Sequence, residues 1–363
     1  MTKPLLASAG AWRAMLGLVV MASGTVSAQT PATQTAAGKT TNEKAYRAPR
    51  TPWGDPDFTG IYSNAFEART PLERPKEFEG RRLEDVKGDE LLLLKTAAHE
   101  AGLVAVAGGL HGPENFWQNY YNLEKGGQAW LIVDPPDGKI PPQTAEGRRR
   151  NAARAEARRN SGRSSADGPE DRSLWERCIT RGLPGSMMPT YYGNHYEFYQ
   201  GSGYVAIRYE MVHETRVIPL DGHPHAGKNI RMYMGDPRGH WEGDTLVVDT
   251  TNFTDRTPFQ GSSENLRLTE RFTRIARDKM KWSLTVDDPA TWVRPWTFAM
   301  PLTSDQTQPI YEYGCHEGNA ALPNILSAGR AEDKLFEEYA KRGFNVPRPS
   351  IPTGDESEEP RQR

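Results

Sequence analysis

The sequence predicts a mainly β protein, an antiparallel up-and-down barrel with helices on its periphery. Three observations lead there. From about residue 190 the chain alternates apolar and polar residues in run after run, the period of a β-strand. Short clusters of Gly, Pro, Asn and Asp separate the runs. Each run has one apolar face, so all the runs can share one interior. A β-sandwich meets these conditions too. Large inward residues (Trp282, Trp296 and Phe298) that alternate with small or polar ones favour a lipocalin-like barrel with a ligand cavity.

Taken in order, the first segment stands outside the fold. Lys3 and Arg13 make a basic start, and an apolar stretch runs roughly from Ala14 to Val26. "VSAQ" then places Val26 and Ala28 where a peptidase that cleaves after Ala28 expects small residues. Residues 1–28 therefore read as a secretory signal peptide, with an apolar part too short to span a bilayer. A membrane anchor is the alternative. Residues 29–50, rich in Thr, Ala, Lys and Gln, read as a disordered leader, and residues 346–363 as a disordered tail. Between them lies one mainly β domain, residues 51–345, wrapped by helices and loops from its N-terminal part.

Within that domain "DFTGIYSN" (57–64) is a short strand after a Pro/Gly turn. "DVKGDELLLLKTAAHEAG" (85–102) is a helix. "GQAWLIVDPPDGKIPP" (127–142) is a strand, a turn and an extended exit. "GYVAIRYEMVHETRVIPLDG" reads as one long strand with Val205, Ile207, Tyr209, Met211, His213, Thr215 and Val217 inward. "NIRMYMG" is the next strand. "GDPRG" and "WEGDT" read as turns that lead into "TLVVDTTNF", with Leu246, Val248, Thr250 and Asn252 on one side. Leu266, Leu268, Glu270 and Phe272 share a face. So do Met280, Trp282, Leu284 and Val286, and then Trp296, Phe298 and Met300. "PIYEYGCH" closes the series. The amphipathic helix "ALPNILSAGRAEDKLFEEYAKRG" follows.

Composition narrows the partners. The chain has 45 basic and 47 acidic residues; without residues 1–28, which hold two basic residues and no acidic one, 43 face 47. That balance argues against nucleic acid, which calls for a basic stripe. The stretch "GRRRNAARAEARRNSGR" (147–163) is a local exception. It reads as a solvated helix or linker, with anion binding as the alternative. The two cysteines, Cys178 and Cys315, suggest one disulfide in an exported protein. A metal–thiolate site is the rival, but neither cysteine has a CxxC neighbour.

Several segments together resemble a family of exported bacterial proteins usually labelled hypothetical: "TPWGDPDFTGIYSN", "TPLERP", "LIVDPPDGKIPP", "SLWERCITRGLPGSMMP", "YEMVHETRVIPLDG", "GDPRGHWEGDTLVVDTTNF", "ERFTR", "DDPATWVRPWT" and "YEYGCHEGN". The resemblance covers about residues 48–340. It implies an exported, single-unit protein. It implies no particular reaction and carries over no functional residue.

Candidate site residues are therefore identified by their chemistry. His213, read as inward, titrates near neutrality and suits general acid–base work; a structural histidine is the bland alternative. Glu270 also points inward, and a carboxylate on an apolar face must find a partner. With His213 it would form a catalytic acid–base pair across the cavity; with an inward arginine it would form a structural ion pair. Arg238, His240 and Trp241, unexplained by turn chemistry, would hold a ligand at the cavity mouth together with Asn252 and His316. Tyr209 and Trp282 would line the cavity. His223, His225 and His240 are a lesser candidate for a divalent metal, since their spacing matches no known motif; no cofactor is expected otherwise. Ser186 is a weak nucleophile candidate because it lacks an elbow motif.

These readings favour an exported enzyme that acts on a small organic molecule as a lyase, isomerase or hydrolase. A periplasmic small-molecule-binding protein is the alternative, and a structural envelope protein a third. No membrane span is expected, and the oligomeric state stays open.

Overall fold

Alternation and short turns produce the expected strands, and their pairing gives a barrel. The computed structural model describes residues 46–107, 127–190, 192–304 and 309–344. The strands are β1 (Gly60–Ser63), β2 (Ile132–Asp134), β3 (His195–Gly201), β4 (Tyr204–Tyr209), β5 (Thr215–Pro219), β6 (Asp236–Glu242), β7 (Thr245–Thr251), β8 (Arg267–Ala276), β9 (Lys279–Asp287) and β10 (Trp296–Ser304). All their pairings are antiparallel, in the order β5-β4-β3-β1-β10-β9-β8-β7-β6, with β2 on the free part of β10's edge. Two meanders, β3–β5 and β6–β10, are thus bridged by β1. The nine-strand path curls until its ends, β5 and β6, meet. They meet by packing: Gly239 of β6 lies so close under Ile218 and Leu220 that an added Cβ would sit 2.6 Å from Leu220 Cδ2.

The inward faces of β7 to β10 are as the alternation dictates. Leu246, Val248, Thr250, Leu266, Leu268, Glu270, Phe272, Met280, Trp282, Leu284, Val286, Trp296, Phe298 and Met300 are all at most 1% exposed. Their rings form a continuous stack: Phe272 on Trp282 at 6.3 Å, Trp282 edge-on to Phe298 at 5.5 Å, and Phe259, from the β7–β8 connection, on Trp296 at 6.0 Å. Aromatic side chains fill the barrel, so the residues expected to line a ligand cavity, Tyr209, Trp282 and Trp296, are sealed at 0% exposure.

Three local readings are corrected. The stretch 203–219 is a hairpin, not one strand. Met211–His213 forms a short 3-10 turn with Val212 at φ 60°. In the hairpin, odd-numbered residues of β4 oppose even-numbered residues of β5, as Ile207 opposes Arg216. The inward face therefore passes to Arg216 and Ile218, while Thr215 turns outward and Val217 is 55% exposed. Second, "NIRMYMG" contributes only a bridge between Met232 and Phe253, and the strand begins at Asp236, where a turn was expected. Pro237 fits a strand here because β6 ends the hydrogen-bonded path, so its missing N–H costs no ladder bond. The turn chemistry is confined to Gly243 and Asp244 between β6 and β7. Third, residues 309–314 form no strand, and Cys315–Gly318 is a single helical turn, α3.

The helices α1 (Gly88–Ala107), α2 (Ala145–Asn160) and α4 (Ala321–Lys341) lie on the periphery. Thr144 caps α2 by accepting from Gly147 N. This arginine-rich helix is only partly a solvated one: Arg150 donates to Gly261 O and Arg154 to Ser262 O, which docks one face against the β7–β8 connection. Cys178 and Cys315 form the expected disulfide, with Cα atoms 5.8 Å apart. No described helix is long and apolar enough to cross a membrane. The signal-peptide reading, most of the leader and the tail beyond 344 lie outside the described residues. Of the leader, residues 46–50 are held: Ala48 is buried, and Pro49 O accepts from Asp57 N.

Candidate functional site

The parity change at the β4–β5 turn decides what Glu270 meets. Arg216 crosses the interior from β5. Its Nη1 donates to Glu270 Oε2 at 2.5 Å and its Nη2 to Oε1 at 3.1 Å. Trp282 Nε1 donates to the same Oε1 at 3.2 Å. Burial alone would lower the Arg216 pKa, but the carboxylate beside it more than compensates and holds it above its ordinary value. Burial also pushes the Tyr209 hydroxyl upward. Among the described residues, Tyr209 Oη and Arg216 Nε have no hydrogen-bond partner. Glu270, Tyr209 and Trp282 are thus brought together, in a closed core and around Arg216, which unbroken alternation from Val205 would turn outward. His213 lies in the turn rather than mid-strand, and its side chain lies outside what is described.

The residues expected at a cavity mouth lie elsewhere. Arg238 and His240 project from the outer wall of β6. Arg238 Nη1 donates to Asp236 Oδ1 at 2.6 Å and Nε to Pro224 O. His240 faces Glu242 at 3.3 Å, and Arg271, then His240, hold the Glu242 carboxyl below its ordinary value. Trp241 turns inward and meets Phe58 edge-on at 5.1 Å. Asn252, at φ 59°, donates to Ala226 O. His316 is exposed on α3.

The three histidines weighed as metal ligands are likewise separate. His223 pairs with Asp221, and His225 sits between Asp236 at 3.3 Å and Asp249 at 3.0 Å. Arg238 and Arg267 already occupy those two carboxylates, so a cation there would face guanidinium groups. Among the described residues no cluster suited to a metal ion occurs. Ser186 is buried and donates to Met234 Sδ, while Thr180 Oγ1 donates to Glu214 Oε2 at 2.8 Å; burial raises the Glu214 carboxyl above its ordinary value.

A cleft lies instead where the β7–β8 connection, α2 and the segment "SLWERCITRGLPGSMMP" converge. Ser173 N and Oγ both donate to Glu176 Oε2 at 3.0 Å, and Asn319 Nδ2 donates to Glu176 O. These bonds and the disulfide hold Trp175 in place. The Arg181 guanidinium lies over the Trp175 ring at 4.7 Å. Gly182, at φ 65°, then runs so close to Thr257 that a Cβ would meet its side chain at 2.8 Å.

The first hollow of the cleft has a volume of about 510 Å³ and is lined by Arg158, Arg181, Arg256, Gln143, Asn151 and Thr180 among others. None of its lining residues is acidic. A second hollow, about 400 Å³, is lined mainly by apolar residues, including Leu72, Leu131, Met188 and Pro189. The two share Trp175, Arg181, Phe259 and Gln260. Arg69 and Gln260, both lining the second hollow, hold positive φ values of 67° and 50°, a backbone cost that tends to collect at functional sites. A third hollow, about 480 Å³, also reaches Trp175 and has Tyr192, Tyr313 and Cys315 in its wall.

Apart from Arg158, from the arginine-rich stretch 147–163, none of the cleft's charged residues was singled out in the sequence. The available signal was local: Trp175 and Arg181 sit three residues to either side of Cys178.

No family model and no curated protein matches the sequence. Among solved structures, an abundant heat soluble (SAHS) protein of Ramazzottius varieornatus is similar over 31% of this chain and 70% of its own, with 8% identity and a TM-score of 0.21.

Proposed function

We propose that the protein binds a small anionic molecule in the cleft around Trp175 and Arg181, without turning it over. The observation that carries this reading is the first hollow, with three arginines, one stacked on tryptophan, and no carboxylate in the lining. Guanidinium forks match carboxylate, sulfonate and phosphate oxygens in geometry and charge. A hollow of this size with a few convergent polar groups is the form small-molecule sites take. Binding is favoured over acid–base turnover because Glu270 is committed to Arg216 and sealed from solvent. The same proposal places the protein outside the cytoplasm; the disulfide and the signal-like start of the chain support this.

Titration calorimetry with benzoate, benzenesulfonate and phenyl phosphate tests the reading, with benzyl alcohol as the uncharged control. The anions should bind, more weakly as salt rises, and Arg181→Ala should lower their affinity about tenfold or more. Failure of every anion to bind, or equal binding by Arg181→Ala, would overturn it.

A further inference from the structure

We infer that the ligand is an anionic amphiphile, with its charged head among the arginines and an unbranched apolar tail in the second hollow. This rests on the anion-binding reading above. Its own ground is the contrast between two hollows that share walls. The first offers Arg158, Arg181 and Arg256. The second is mainly apolar, with Leu72, Leu131, Met188, Pro189 and Phe259; its charged lining residues are Arg69 and the shared Arg181, and none is acidic.

Arg181 and Phe259 belong to both hollows, so they stand at the junction of head and tail. Arg181 can grip the head from above Trp175. Phe259 closes the barrel end against Trp296 and Phe298, which makes it a fixed apolar floor. A compact anion such as phosphate would leave the apolar hollow wet, and a neutral apolar molecule would engage none of the guanidinium groups of the first hollow. A molecule with both parts serves both hollows. A water occupies roughly 30 Å³ and a methylene is of similar size. The second hollow, at about 400 Å³, therefore has space for a chain on the order of ten carbons.

The test is the affinity of unbranched carboxylates from butanoate to dodecanoate, each below its micellar concentration, with octanol beside octanoate. Affinity should rise about threefold to fourfold per methylene and level off near ten carbons. Octanol should bind at least tenfold more weakly than octanoate. Met188→Glu, which puts a carboxylate among the apolar residues of the tail hollow, should flatten the length dependence. Carboxylates that bind with no length dependence would overturn the amphiphile inference and leave the anion site standing. Octanol binding as tightly as octanoate, or no binding by any carboxylate, would overturn the anion reading itself.

Discussion

Arg216→Met should lower the unfolding free energy by about 3–5 kcal/mol, the range for removing one partner of a buried ion pair. The substitution leaves the Glu270 carboxylate at 0% exposure with only Trp282 Nε1 still donating to it. The isolated charge, rather than a lost attraction, accounts for most of this effect. Arg216→Met/Glu270→Leu should therefore recover most of the loss, because it leaves neither charge behind and fills the same space with apolar atoms. Urea unfolding, followed by the fluorescence of the buried tryptophans, ranks the three proteins. The expected order is wild type close to the double variant and both well above the single one. A double variant as unstable as the single one would mean that the pair acts through more than mutual neutralisation. The same double variant should bind anions as the wild type does, since neither residue lines the cleft.

Removing the disulfide is the second large effect. Cys178 and Cys315 close a separation of 137 residues, for which the chain-entropy model gives about 4–5 kcal/mol and measured losses run about 2–5 kcal/mol. Cys178→Ser/Cys315→Ser should therefore unfold at clearly lower urea, and wild type in a reductant should match it. A functional loss should follow, because Cys178 lies midway between Trp175 and Arg181 and Cys315 lines the third hollow. Without the bond that segment keeps the Ser173–Glu176, Asn319–Glu176 and Arg172–Glu176 contacts and the buried Leu183 and Met187, but loses its covalent tie to Cys315. Benzoate affinity measured in non-denaturing buffer should fall severalfold. Unchanged stability and unchanged affinity in the double serine variant would show that the bond supports neither the fold nor the cleft.

How much of this was legible in the sequence depended on whether the signal was local and periodic. The period-two pattern placed Glu270 on the inward face among Leu268, Phe272 and Leu266, which is where it lies. The same pattern failed after Tyr209, where β4 ends. The β4–β5 turn, built from "EMVH", contains no Gly, Pro or Asn and keeps the alternation apparent while the chain reverses. Unbroken alternation would turn Arg216 outward, which hides the partner of Glu270. The opposite error occurred at "DPRG", whose turn-forming residues occupy an edge strand because that strand has a free side. The cleft was least legible. Its walls come from five separated stretches, residues 68–72, Leu131, 143–158, 174–190 and 256–261, and only the folded chain brings them together. No spacing in the sequence encodes that meeting.

If the proposed function holds, solutes meet this protein at the end cleft and not inside the barrel. A crystal structure with 10-bromodecanoate tests it most directly, since the bromine can be located by its anomalous scattering. The expected result is a carboxylate hydrogen-bonded to Arg181 and a bromine peak among Leu72, Leu131 and Met188. A bromine peak inside the barrel, beside Trp282 and Tyr209, would contradict it.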